Sequence, residues 1–157
     1  MAFSCLLIGF FFAGMARGKV YTEKYMKENF GAEHRRVTGE DIKKGGYPDN
    51  GSGYYSKNLS YSDWYLMNNG QRAHMNYVEW IATNLTLLLI GGLYLPILSA
   101  SVGLGIIVSR FIYAAGYTNG GPSRRLIGAL LNDLLTLVHF ILAIYSSIKF
   151  ISGDPFN

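Results

Sequence analysis

Apolar residues gather in four runs, at 2–16, 81–98, 99–115 and 126–151, and a polar stretch fills 17–71. A bilayer-spanning helix needs about 20 mostly apolar residues. The pattern therefore predicts four helices, over about 2–29, 72–93, 96–117 and 123–151. A polar loop over about 31–70 separates the first two, and a short tail follows from 152. The first run is short for a span and has the length of a cleaved signal's apolar region. No basic segment precedes it, however, and the residues after it keep helix-forming character, with Glu23 and Lys27 as an i,i+4 pair. It reads as one helix whose last turns emerge from the bilayer, with Gly31 as its stop. The uncharged stretch Gly91-Gly-Leu-Tyr-Leu-Pro96 and the stretch Thr118-Asn-Gly-Gly-Pro-Ser123 supply the two short turns, and Pro122 or Ser123 opens the last helix. The fold class is all-α, an integral membrane four-helix bundle forming a single membrane domain over 1–157.

Composition agrees. Half of the residues are apolar and 15% are charged, against about 25% charged in ordinary soluble domains. Thirteen of the fourteen basic residues fall in or beside the long polar stretch and the turn near 120, and only Lys149 lies at the other end. The positive-inside rule then puts both of those segments in the cytoplasm and both termini across the membrane. The net charge of +4 is a topology signal, and no folded basic domain exists to bind nucleic acid. The membrane of the endoplasmic reticulum and the outer or inner mitochondrial membrane all fit this layout.

Several chemistries are excluded. One cysteine, Cys5, forms no internal disulfide or thiol metal site, and His34, His74 and His139 lack ligand spacing, so no metal is expected. No phosphate-binding glycine loop is present. The sequons at Asn58 and Asn84 fall in the cytoplasmic loop and in a span, and read as chance matches. The segment from Gly45 to Gly53 is turn chemistry throughout. Tyr54, Tyr55, Tyr61, Trp64 and Tyr65 predict that the loop packs against the bundle surface.

The polar residues that remain lie at one membrane face. Arg72, Asn76 and Glu79 are spaced i, i+4, i+7 and share a helix face at the head of an apolar run. A polar stripe on a membrane helix marks either a site or a helix end among the headgroups, and the pattern alone does not choose. Arg110, Tyr113 and Tyr117 form a second stripe, which by itself reads first as interface anchoring. Arg124 and Arg125 follow at a similar depth. Together these residues suit a small anion bearing carboxylates, held by arginines, with Glu79 to accept from an amine. Glutathione is such a ligand.

The blocks Gln71-Arg-Ala-His-Met-Asn-Tyr-Val-Glu79, Arg110-Phe-Ile-Tyr113-Ala-Ala-Gly-Tyr117 and Pro122-Ser-Arg-Arg125 resemble signatures of the MAPEG superfamily, the membrane-associated proteins in eicosanoid and glutathione metabolism. Within it they are similar to the microsomal glutathione S-transferase 3 branch. The resemblance implies a homotrimer with glutathione as substrate, bound between subunits near the cytosolic face. It implies binding roles for Arg72, Asn76, Glu79, Arg110, Tyr113 and Tyr117, and makes Arg124 the arginine that holds the thiolate. Arg17 resembles a first-helix arginine of the family.

The chain departs from the pattern in a short first helix, a long first loop, Trp80, and Asn132 with Asp133 inside the last span. An acid there pairs with an arginine such as Arg110, binds a neighbouring protein, or sits at headgroup level. Two functions follow. One is a glutathione transferase or peroxidase acting on lipophilic electrophiles or lipid hydroperoxides. The other is a non-catalytic accessory subunit of a larger membrane complex, for example a mitochondrial one.

Overall fold

The computed structural model describes residues 1–45, 49 and 51–153. Five helices account for most of them: α1 Ala2–Val20, α2 Glu23–Thr38, α3 Tyr61–Gly92, α4 Pro96–Gly120 and α5 Leu126–Ile151. A single 3₁₀ turn, Tyr54–Ser56, sits in the long connection. α3, α4 and α5 pack against one another, and α1 lies mainly along α3. α1, α4 and α5 are each long and apolar enough to cross a bilayer. The first half of α3 is polar, yet Gly70 and Ala73 on it already pack against α1, and its apolar second half bonds to α4 and α5.

Two boundaries differ from the sequence reading. The helix expected over about 2–29 stops at Val20, because Tyr21 leaves helical geometry (φ −86°, ψ 62°) and Thr22 caps a new helix by accepting from the Tyr25 amide at 3.2 Å. α2 then passes through Gly31 and ends at Gly39, whose φ of +77° is a conformation open to glycine at low cost. The helix expected from about 72 begins at Tyr61 instead. Ser60 accepts from the Asp63 amide at 3.1 Å and donates to its carboxylate at 2.8 Å, a reciprocal start signal eleven residues before Arg72. Much of the expected loop over 31–70 is thus helical. Of the Gly45–Gly53 turn stretch, Gly46, Tyr47, Pro48 and Asn50 lie outside the described residues, as do residues 154–157 of the tail.

Inside the bundle, close approach rather than apolar bulk holds the helices, as expected where lipid is as apolar as leucine. α1 contains a π segment, Gly9–Gly14. A Cβ on Gly9 would lie 2.8 Å from the His74 ring, and one on Gly70 would lie 2.6 Å from the Phe12 carbonyl oxygen. Cys5 is buried with Ile8, Ala73, Tyr77 and Tyr113. The seam between α3, α4 and α5 combines a buried apolar cluster of Val102, Ile106 and Leu142 with polar contacts. Thr136 donates to Asn84 at 3.1 Å, Ser99 to the Leu88 carbonyl at 2.8 Å and Ser146 to the Gly91 carbonyl at 3.1 Å.

Beyond the spans, a second core gathers Val20, Tyr21, Met26, Phe30, Ile42 and Met67, with Tyr25 and Tyr55 against it. Of the loop aromatics expected to pack, Tyr55 lies against this core, while Tyr54, Tyr61, Trp64 and Tyr65 are exposed. Tyr25 donates to the Tyr55 carbonyl at 2.7 Å, and Trp64 Nε1 to the Gly51 carbonyl at 2.7 Å. Arg17 ties α1 to this loop through the Gly45 carbonyl. Asp49, 6% exposed, accepts from the Gly51 and Gly53 amides at 2.8 Å each and from Ser56 Oγ at 3.0 Å. Ser56 in turn pairs with the Tyr21 hydroxyl at 2.8 Å. Burial is the largest influence on Tyr21, whose pKa is pushed up to about 12. Burial works against ionised Asp49, yet its hydrogen bonds outweigh it and hold the pKa below the usual carboxylate value. A depressed carboxyl contributes stability that is complete above its unfolded pKa of about 3.9 and is lost as pH falls through the folded value. Asp49→Ala is expected to destabilise the loop by about 2 kcal/mol, the scale of a hydrogen bond to a charged group. Cleavage after Lys43 and Lys44 in limited proteolysis at pH 7 measures it; an unchanged rate contradicts the role given to Asp49.

Candidate functional site

Arg110 lies just past the middle of α4 and is 2% exposed. A buried guanidinium among membrane helices is expensive unless its donors are matched. One is: Nη1 donates to Asn76 Oδ1 at 2.7 Å. The group also sits over the rings of Tyr77 at 5.1 Å and Tyr113 at 6.0 Å, an arrangement that favours a cation. Nε and Nη2 have no hydrogen-bond partner, and no carboxylate pairs with Arg110 among the described residues. The site therefore consists of a fixed positive charge with two donors left open. The α3 residues that meet it are held firmly. Tyr77 is fully buried, its hydroxyl bonded to Ser4 Oγ at 2.8 Å and donating to the Met1 carbonyl at 3.3 Å.

Arg72 and Glu79 occupy the more exposed flank of the same α3 face. Arg72 Nη1 stands 3.6 Å from Glu79 Oε1, with both side chains about half exposed. An exposed pair of this kind contributes about 0–1 kcal/mol to stability, so each partner is cheap to redirect toward a ligand. Tyr113 and Tyr117 are buried one turn apart on α4, with ring centroids 5.8 Å apart.

The two arginines of the α4–α5 turn divide. Arg125 Nη1 donates to the Tyr113 hydroxyl at 3.2 Å, and its guanidinium lies 5.3 Å from the Tyr117 ring centroid. Because the Tyr113 oxygen accepts this bond, its own proton remains available to a ligand. Arg124 is exposed, and its aliphatic carbons press on Gly120. The sequence reading placed both arginines on a helix opening at about 123, 100° apart. α5 begins only at Leu126, so both lie in the turn before it and helical geometry does not decide between them.

The structure thus brings Asn76, Arg110, Tyr113 and Tyr117 together, keeps Arg72 and Glu79 as a pair on the flank, and leaves Arg124 outside the group. Sequence reasoning missed Tyr77 and gave Arg125 no role in binding the ligand. Asp133 does not pair with Arg110. It is exposed on α5, and among the described residues its hydrogen bond comes from Asn132 Nδ2 at 3.3 Å.

A model of the MAPEG family matches residues 29–145, a stretch that contains Arg72, Asn76, Tyr77, Glu79, Arg110, Tyr113, Tyr117, Arg124 and Arg125. The chain belongs to the MAPEG family. Membership agrees with the all-helical membrane bundle and makes the protein an integral membrane protein. Members of the family use glutathione, and at the level of the family the function lies in membrane glutathione or eicosanoid metabolism. Among the described residues no group of three or more His, Cys, Asp or Glu side chains converges as a metal site would require.

Proposed function

We propose that this protein is a membrane-bound glutathione transferase or peroxidase of the microsomal glutathione S-transferase 3 kind, acting on lipophilic electrophiles or lipid hydroperoxides. The observation that carries the reading is Arg110, buried, aligned by Asn76 and two tyrosines, with Nε and Nη2 open. An anion with planar carboxylates satisfies such a group bidentately. One glutathione carboxylate meets Arg110 and the other meets Arg72. Glu79, released from Arg72, accepts from the ligand's amine, and Tyr113 donates its free proton.

The thiol is the reacting atom. A guanidinium beside it stabilises the thiolate and raises its fraction at neutral pH. Arg124 takes this role in our reading, reaching the sulfur from the turn, while Arg125 fixes Tyr113. The thiolate adds to an activated carbon–carbon double bond, whose π electrons take up a proton as the thioether forms, or displaces a leaving group that departs with the electron pair of its bond to carbon. With a hydroperoxide, sulfur takes the terminal oxygen, the O–O bond breaks and the alkoxide leaves as the alcohol after protonation. A second glutathione then forms the disulfide and releases water.

A second reading, the accessory subunit of a larger complex, is favoured by Asp133. This carboxylate is exposed about two turns inside α5, among lipid-facing Leu130, Leu134 and Leu137, where an isolated charge is costly and a neighbouring protein relieves it.

One preparation in mild detergent tests both readings, by mass measurement and glutathione titration on the same sample. The enzyme reading expects a homotrimer that binds glutathione, and Arg72→Ala is expected to weaken binding by about 1.5–3 kcal/mol, roughly 10- to 150-fold. Equal affinity in wild type and Arg72→Ala overturns the assignment of Arg72. Fixed-stoichiometry copurification with unrelated subunits and no glutathione binding supports the accessory reading.

A further inference from the structure

Three buried side chains on the α3–α5 seam each keep one polar atom without a hydrogen-bond partner: Asn84 Nδ2, Asn132 Oδ1 and His139 Nδ1. None of the three residues is more than 2% exposed, so a second copy or another subunit packed on the surface does not reach them. Buried polar groups of this kind are costly, and folded proteins match them with ordered water where no side chain serves. Their placement is well defined. Asn84 Oδ1 accepts from Thr136 at 3.1 Å, which sets Asn84 of α3 level with Thr136 of α5. Asn132 and His139 lie four residues before and three residues after Thr136, on the same face of α5 and one turn to either side. The other nitrogen of His139 is committed. Nε2 stands 2.9 Å from the Ser99 carbonyl oxygen, which only accepts, so this nitrogen carries the proton. In the neutral ring Nδ1 is then a bare acceptor. Asn84 Nδ2, with two hydrogens, thus stands between two acceptors, each one turn of α5 away.

We propose that this seam binds enclosed water, one molecule bridging Asn84 Nδ2 to His139 Nδ1 and another bridging Asn84 Nδ2 to Asn132 Oδ1. Spacing favours a bridge over direct contact. Side chains one turn apart on a helix have Cβ atoms about 5–6 Å apart, too far for one hydrogen bond and close to two of about 2.8 Å in series. The donor set selects the occupant. An amide N–H has no lone pair to offer a metal ion, and an anion would face the lone pairs of His139 and Asn132. Water accepts from Asn84 and donates to the other two. Small α4 residues face these groups. A Cβ on Gly103 would lie 3.8 Å from His139 Cε1, and the antiparallel register that sets Gly103 against His139 and Tyr113 against Gly128 puts Ser109 opposite Asn132. The Ser109 hydroxyl is turned back onto its own helix, donating to the Ile106 carbonyl at 2.7 Å. With the two waters bound, the Asn84–Thr136 and His139–Ser99 contacts join into one hydrogen-bonded file that ties α3, α4 and α5 together.

The test is radiolytic footprinting of the full chain in mild detergent. A short X-ray pulse makes hydroxyl radicals from bound as well as bulk water, and peptide mass mapping locates the side chains they modify. His139 is fully buried, so radicals reach it only from water held beside it. Corrected for intrinsic reactivity, His139 is expected to be modified at least about threefold more than Ile8 and Phe30, which are buried within the two apolar clusters. Asn84→Leu removes the shared donor. It is expected to cut the His139 modification at least about threefold, to leave Ile8 and Phe30 unchanged and to keep the helical circular dichroism of wild type. If that variant loses helicity, the smaller Asn84→Val makes the same comparison. His139 modified no more than Ile8 and Phe30 in the wild-type protein overturns the proposal. So does His139 modification that a folded Asn84 variant leaves unchanged, which marks bulk solvent entering the bundle. Neither measurement uses glutathione, so failure here and failure of the enzyme reading are told apart.

Discussion

Arg124→Ala is expected to lower turnover by about 10²- to 10³-fold, the scale of removing one preorganised donor from a reacting anion. Glutathione affinity is expected to stay within about a factor of two. This split marks an interaction made mainly with the thiolate rather than with the bound ligand as a whole. The ultraviolet absorbance that thiolate adds when glutathione is mixed with the protein is expected to disappear in the same variant. Arg125→Ala is expected to act differently. Its guanidinium bonds to Tyr113 and lies over Tyr117, so its loss frees two side chains of the binding group and weakens affinity together with turnover. If Arg125→Ala abolishes the thiolate signal while Arg124→Ala keeps it, the roles of the two arginines are reversed.

The second large effect concerns stability. Gly128 of α5 touches the backbone of Tyr113 in the site: a Cβ there would lie 2.3 Å from Tyr113 N and 2.5 Å from its Cα. Neither atom belongs to a flexible side chain, so α5 must move away from α4. Gly128→Ala is expected to cost about 3 kcal/mol, the upper end for overpacking, and to displace Tyr113 with a matching loss of glutathione binding. Gly18 is the control. It is helical with open space around its would-be Cβ, and Gly18→Ala is expected to stabilise by about 0.5–1 kcal/mol through helix propensity. Unfolding in detergent, followed by loss of helical circular dichroism, compares the two. Similar midpoints for Gly128→Ala and wild type contradict the packing described for α4 and α5.

The bundle was legible in the sequence because apolar runs of span length have few alternatives in a chain so poor in charge. The i, i+4, i+7 spacing likewise put Arg72, Asn76 and Glu79 on one face, where the Arg72–Glu79 pair now lies. What escaped were features decided by partners distant in sequence. The break at Tyr21 follows from its hydroxyl reaching Ser56, thirty-five residues away, and helix propensity over residues 19–30 carries no trace of that contact. The early start of α3 had a local signal in Ser60 and Asp63, masked by the polar composition around it. The choice between Arg124 and Arg125 depends on the turn before α5, where a helix start three residues later than expected redirects both side chains. Tyr77 was hidden because a tyrosine near a membrane interface reads equally as an anchor until its ring is seen beneath Arg110.

The central claim is that the open donors of Arg110 are there for glutathione. Titration calorimetry of glutathione into the detergent-purified protein, wild type beside Arg110→Met, tests it most directly. Methionine keeps much of the buried aliphatic bulk and removes the charge. Saturable binding by wild type, weakened at least about 10-fold in Arg110→Met, with the variant still folded by circular dichroism, is the predicted result. No binding by the wild-type protein, or equal affinity in a folded Arg110→Met, contradicts the account.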